Sequence, residues 1–319
     1  MMSDKIFRRL ATVVICSLLL TAGCAPTVAL KFTPQDSTTY KLTIEAQRSI
    51  KWEGPVPDKT VFQGGQTGNK IEMTFTRQIQ SVDDKGNAVA EITIEGLKYL
   101  SIVRDNTVLD FDSSREKDKN NPMAGLIGQS YTIEIAPTGK VTEVIDVKQA
   151  QAALKGSSSA NKAALTVLEP DAIKRRHGTL ALPDADKNQL RIGDNWSSIR
   201  TFSFGMMGSK SYERIYTLKK IEGWFKQRAI VDMNSIPTSG TAEQLDKEGI
   251  SGFSKMFDNT ETYTGELRLD LTAGKVEKYL EKLQSEWIAV DPAAGQEDDK
   301  EPAALKMTAI RLYRLDKID

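Results

Sequence analysis

Apolar and polar residues alternate along most of this chain, and a period of two is the signature of half-buried β-strands. Tyr40, Leu42, Ile44 and Ala46 fall on one side of an extended segment, with Lys41, Thr43, Glu45 and Gln47 on the other. Ile71, Met73, Phe75 and Ile79 repeat the pattern, as do Ala88, Ala90, Ile92 and Ile94 after the turn residues Asp83–Asn87. Tyr131, Ile133 and Ile135 run into Pro137-Thr138-Gly139, and Lys140-Val141 begins a return strand. One apolar face and one Thr/Glu/Arg face describe antiparallel strands with one side in water. Counting such runs predicts an α+β, β-dominated fold: a large twisted antiparallel sheet of about a dozen strands.

The period changes once, over Asp146–Ala185. Val147, Ala150 and Leu154, then Ala163, Ala164, Val167 and Leu168, recur at helical spacing on either side of Gly156-Ser157-Ser158-Ser159. This predicts two short helices between two β-rich halves, placed to cover the concave side of the sheet. The halves resemble each other: YTIEIAPTGKV (131–141) compares with YTGELRLDLTAGKV (263–276), and a long hairpin precedes each. Any two hairpins with Gly turns share those features, so one large sheet and two similar β-units both stay open. The expected organisation is 1–23 leader, 24–38 tether, 39–145 first β-unit, 146–186 helical connector and 187–319 second β-unit, the two units forming one domain. Residues 53–69, 237–259 and the acidic 291–302 read as loops.

The leader is defined by its own chemistry. Lys5, Arg8 and Arg9 precede an apolar run, Leu10–Leu20. Its eleven residues are too few to cross a ~30 Å hydrocarbon core as a helix, and they suit a secretory signal segment. The run ends in Leu20-Thr21-Ala22-Gly23-Cys24, which resembles the lipobox of bacterial lipoproteins, with Thr21 where Leu is usual. That resemblance implies signal-peptidase recognition at Leu20, Thr21, Ala22 and Gly23, and acylation of Cys24, for instance with palmitate. It further implies a membrane partner through the N-terminal lipid and a place in the cell envelope. With Ala25 next, this is the outer membrane facing the periplasm in a Gram-negative host. Cys16, the only other cysteine, leaves with the leader, so the mature chain has no internal disulfide and depends on its core.

A second resemblance covers more of the chain. Phe111-Asp112, a charged stretch, then Asn121-Pro122-Met123-Ala124-Gly125-Leu126-Ile127-Gly128 and a strand–Gly turn–strand, Tyr131–Ile145, resemble the bacterial family filed as domain of unknown function 6263. The likeness runs from about Tyr40 onward and implies a secreted or lipid-anchored β-rich envelope protein. It brings no catalytic residue. Locally, Asn121-Pro122 predicts the start of a short helical turn that Gly128 ends.

Composition removes several function classes. The charge balances at 43 basic and 43 acidic residues, which gives no electrostatic footprint for nucleic acid. One His and two Cys are too few for a Cys/His zinc cluster, and no cofactor or metal is expected. His177, in Lys174-Arg175-Arg176-His177-Gly178, reads as a cation at a helix C-terminus. No catalytic residue is assigned, because no G-x-S-x-G elbow or P-loop is present and no carboxylate pair stands out. The remaining candidates are Phe202, Phe204, Met206, Tyr216 and Trp224, a Met/aromatic group suited either to an adaptable apolar pocket or to the sheet core. The expectation is a non-catalytic envelope lipoprotein that binds an apolar or amphiphilic ligand between sheet and helices. The competing expectation is a scaffold that docks an envelope protein or glycan. A hydrolase ranks third.

Overall fold

The computed structural model describes residues 25–54, 64–154, 156–238, 258–290 and 304–319. The leader with Leu20, Thr21, Ala22, Gly23 and Cys24, and the acidic stretch 291–303, lie outside the described residues. The strands are β1 Ser37–Glu53, β2 Gly65–Val82, β3 Ala88–Val103, β4 Asn106–Asp112, β5 Ser130–Ile135 and β6 Val141–Asp146. Helices α1 Lys148–Ala152, α2 Ser159–Val167 and α3 Pro170–His177 come next. The second half adds β7 Asn195–Ser203, β8 Ser209–Glu222, β9 Arg228–Pro237, β10 Asp258–Asp270, β11 Lys275–Val290 and β12 Ala304–Lys317. All twelve strands form one antiparallel sheet in the order β6-β5-β3-β2-β1-β12-β11-β10-β9-β8-β7, with β4 paired to β3.

The chain therefore winds from the middle of the sheet to one edge, crosses by the helices to the other edge, and winds back. β1 and β12 close the two halves along their whole length, from Tyr40 opposite Lys317 to Glu53 opposite Ala304. The predicted sheet is present, and the connector holds three helices where two were expected. Two of the three starts have a clear local cause: the Ser158 hydroxyl accepts the Asn161 N–H at the head of α2, and Pro170 opens α3. The Asn121–Gly128 block forms the expected short turn. The Asn121 carboxamide accepts the Met123 N–H, Met123 and Leu126 are buried, and Gly128 has φ +79°. It fills the fork where β3 leaves β5 for β4.

One expected loop is partly strand. Gly65–Asn69 pairs with Ala46–Ile50 of β1. Gly68 is required there because a Cβ would run into the β1 backbone.

The sheet curls strongly. β7 and β12 are five steps apart in the sheet order, about 24 Å if the sheet were flat. Yet an Arg311 N–H on β12 donates to the Ser203 carbonyl of β7 at 3.2 Å. The inward faces and the helices enclose one core, with Tyr40, Leu42, Met73, Ile92, Tyr131, Leu218, Val231 and Leu283 all buried.

The two ends of the curled sheet differ. At the closed end, residues 27–36 run across the strand termini. Thr27 bridges Gln189, and the N–H groups of Val28, Leu30, Lys31 and Gln35 donate to Asn188, Pro137, Gly274 and Ile79 carbonyls. Val28, Ala29 and Leu30 are buried, so within the expected tether 24–38 the chain is packed into the body from Val28. At the opposite end, the mouth, lie the β3–β4 and β7–β8 turns.

Candidate ligand groove

Charged residues occupy inward positions of strands whose neighbours on the same face are apolar, and five of them frame the site. β1 carries Arg48 in line with Tyr40, Leu42, Ile44 and Ala46; β12 carries Arg311 between Ala309 and Tyr313. β7 places Arg200 between Trp196 and Phe202, and β8 places Arg214 between Tyr212 and Tyr216. β11 places Glu281 between Tyr279 and Leu283.

Three of these, with three tyrosines, form a buried cluster. Glu281, 3% exposed, accepts from Arg200 Nη1 at 2.6 Å, Arg214 Nη1 at 2.8 Å and the Tyr263 hydroxyl at 2.9 Å. The Tyr279 and Tyr216 hydroxyls also donate to it. Burial alone would raise the carboxyl pKa. The two guanidiniums and the hydroxyl donors outweigh that and hold it below the usual carboxylate value. The tyrosines shift upward, mainly by burial and then by the Glu281 charge. The bridge from β7 to β11 is one of the contacts that curl the second half of the sheet.

The remaining two belong to a groove. A cavity of about 440 Å³ opens at the mouth, walled by Phe204, Trp287, Met307 and Ile50 together with Arg48, Arg104 and Arg311. A second, of about 270 Å³, lies deeper between the sheet and α2–α3, with Phe202, Tyr99, Arg176, Arg200 and Glu281 in its wall. Ala46 and Arg311 line both, so the two adjoin. Trp287, Phe204, Phe202 and Tyr263 line the passage from one to the other in edge-on or tilted ring contacts with centroids 5.1–6.4 Å apart. Among the described residues, Arg48, Arg104 and Arg311 have no carboxylate partner. The Arg311 pKa is pulled down by burial and then by the neighbouring Arg48 charge. Arg48 crosses close to Gly205, whose φ is +67°; a Cβ there would stand 3.0 Å from Arg48 Nη1.

α3 roofs the deeper cavity. Arg176, buried, donates to the Val167 carbonyl at 2.6 Å, and the Tyr313 hydroxyl donates to the Arg176 carbonyl at 2.9 Å. His177 is also buried, 2.6 Å from the Tyr131 hydroxyl and edge-on to Phe75. Burial first, then Arg176 and Arg77, drive its pKa well below the ordinary imidazole value. It is a neutral core residue, where the sequence pattern suggested a cation facing the helix terminus.

The Met/aromatic candidates divide. Phe204 lines the mouth and Phe202 the deeper cavity. Tyr216 is buried, stacked on Trp196 at 5.7 Å and hydrogen-bonded to Glu281, in the wall behind the groove. Met206 lies in the turn between β7 and β8, and its side chain is outside what the structure describes. Trp224 does not line the groove: it is 89% exposed on the β8–β9 turn, at the closed end. The expectation grouped it with Phe202 by chain proximity, but β8 separates the two turns by its full length. The groove arginines escape a sequence reading in which strand charges face solvent. Their inward parity is the signal that locates them.

No cluster of three or more His, Cys, Asp or Glu able to hold a metal occurs among the described residues. No described helix is long and apolar enough to cross a membrane.

Fold and groove define a class: an open, strongly curled antiparallel sheet whose helix-covered inner face carries a cationic, aromatic-lined groove. The chain belongs to the family of unknown function DUF6263, whose model matches residues 85–276. No curated protein matches the sequence. Among solved structures, one of lipovitellin, on lipid–protein interactions, is similar at TM-score 0.40 and 11% identity, covering 91% of this chain and 26% of its own. DynF, from the dynemicin biosynthesis pathway of Micromonospora chersina, is similar at TM-score 0.17 and 7% identity, covering 91% of this chain and 85% of its own. The chain spans about a quarter of the lipovitellin chain, and at these scores neither likeness carries an argument about function.

Proposed function

We propose that this is a lipid-anchored envelope lipoprotein, non-catalytic, whose groove holds an acidic amphiphile. The observation that supports the ligand class is the pairing of Arg48 and Arg311. These two like charges share one cavity wall, face no described carboxylate, and stand beside Phe204, Trp287 and Met307. Arg311 is half-buried, with carbonyl oxygens but no described carboxylate against its charge, and Arg48 stands exposed beside it. Two like charges this close repel, and an acid headgroup would neutralise both while its chain follows the aromatic wall inward. The mouth cavity, about 440 Å³, falls in the range of small-ligand sites. The anchor reading is supported by the sequence Leu20-Thr21-Ala22-Gly23-Cys24.

Titration with a fluorescent polyene fatty acid and with its methyl ester tests the ligand class. The acid should bind and the ester should bind less tightly. Arg48→Gln combined with Arg311→Gln should weaken the acid roughly tenfold or more, as expected for lost charge-assisted hydrogen bonds, and leave the ester unchanged. Equal affinity for acid and ester, unaffected by the double variant, would refute the acidic-headgroup assignment. No binding of either would return the weight to a scaffold that docks an envelope protein or glycan.

A further inference from the structure

The closed end carries a feature that the groove does not use. The β8–β9 hairpin ends in Gly223-Trp224-Phe225-Lys226-Gln227, with Trp224 89% and Phe225 92% exposed. The turn is tightly built. Gly223 has φ +87°, and a Cβ there would strike the Lys226 carbonyl. Gln227 is tied on both sides to the β10–β11 turn: its N–H donates to the Thr272 hydroxyl, and its carbonyl accepts the Leu271 N–H. A fixed turn that holds two large aromatic side chains in water is a contact surface awaiting a cover.

The start of the described chain lies at the same corner. The Leu190 N–H donates to the Pro26 carbonyl at 3.1 Å, and Thr27 bridges Gln189. Three residues on, the Gly193 N–H donates to the Leu218 carbonyl of β8 at 2.8 Å, and β8 runs from there straight into the Trp224 turn. Ile192, between those two links, is 61% exposed. On the far side, the Lys31 N–H donates to the Gly274 carbonyl of the β10–β11 turn. The described chain thus begins at the closed end, the end that also carries Ile192, Trp224 and Phe225.

We infer that the Trp224–Phe225 turn inserts into the interfacial region of the lipid bilayer. It would be a second membrane contact beside the N-terminal anchor, holding the groove mouth away from the surface. This rests on the anchoring reading above. Trp is enriched at membrane–water interfaces, and firm attachment generally takes two signals. Lys226, the basic residue of the turn itself, is already paired with Asp270 at 3.2 Å and Glu277 at 2.9 Å, and Lys220 is paired with Glu222 at 2.5 Å. The contact is therefore ring insertion rather than attraction to anionic headgroups, and it needs no acidic lipid. β8, with 14 residues, spans about 45 Å at ordinary strand rise, which sets the distance between the inserted turn and the mouth.

The test reconstitutes the full chain, wild type and Trp224→Phe, in vesicles of phosphatidylcholine brominated on its acyl chains. Flotation reports attachment; the emission that Trp224→Phe lacks reports the turn. The inference expects flotation, quenching of more than half of that emission component, and no loss of quenching when salt is raised. A chain that floats with its Trp224 emission unquenched overturns the inserted turn and leaves the anchor standing. A chain that does not float overturns both, since anchor and inserted turn together would retain it.

Discussion

A carboxylate placed on the inward face of a sheet is costly to desolvate unless cations and hydrogen-bond donors replace its water, and Glu281 has two arginines and three tyrosines doing so. Removing the charge leaves Arg200 and Arg214 facing each other across a buried space. Glu281→Gln should lower unfolding free energy by about 3–5 kcal/mol, read from urea denaturation; a change within about 0.5 kcal/mol would show the cluster to be dispensable. His177 gives a pH signature, since it is the only His. Its folded pKa is depressed by burial, so the unfolded chain binds the proton first and stability falls as pH drops below about 6.5. The slope approaches about 1.4 kcal/mol per pH unit until the depressed native value is reached. His177→Gln, which keeps an acceptor for Tyr131, should remove that slope between pH 7 and 5 in otherwise parallel urea titrations. An unchanged slope would mean that the imidazole is not held neutral.

Alternation made the elements readable. Tyr40-Leu42-Ile44-Ala46 predicts β1 and its buried face, and the same alternation places Arg48 on that face two residues later. Arg311, Arg200, Arg214 and Glu281 carry the same information on β12, β7, β8 and β11. A charged residue in phase with a core stripe is the legible trace of this groove. It is easily passed over, because charge in a strand usually faces water. Tertiary placement was not legible. Phe202 and Trp224 are near in sequence, and only the length of β8 puts them at opposite ends. The third helix was hidden because Pro170 ends one apolar period and starts another too short to show. At the closed end, Gly274 has φ +63°, and a Cβ would meet the Lys31 backbone. Gly274→Ala should therefore destabilise by more than about 1 kcal/mol and speed amide exchange at Leu30 and Lys31 ahead of β1. Exchange that stays slow there would show that residues 27–36 are held without that close approach.

For the molecule as a whole, strand order explains both the groove and the polarity of its two ends. The runs β1-β2-β3-β5-β6 and β7-β8-β9-β10-β11 progress along the sheet in the same sense. That is the arrangement in which the likeness between 131–141 and 263–276 has a structural counterpart, β5–β6 holding the place in the first run that β10–β11 holds in the second. The helices return the chain from one edge to the other across the inner face, leaving space between themselves and the inward arginines. Residues 27–36 seal one end and the mouth stays at the other. A protein anchored at the sealed end would present its groove to the surrounding compartment, a geometry suited to receiving or sensing an amphiphile. The most direct measurement of that claim is native mass spectrometry of the full chain purified from a bacterial envelope, with lipid extraction from the same sample. The account predicts an acidic lipid or fatty acid bound one to one and lost in Arg48→Gln/Arg311→Gln. A bare protein mass with an empty extract would contradict it.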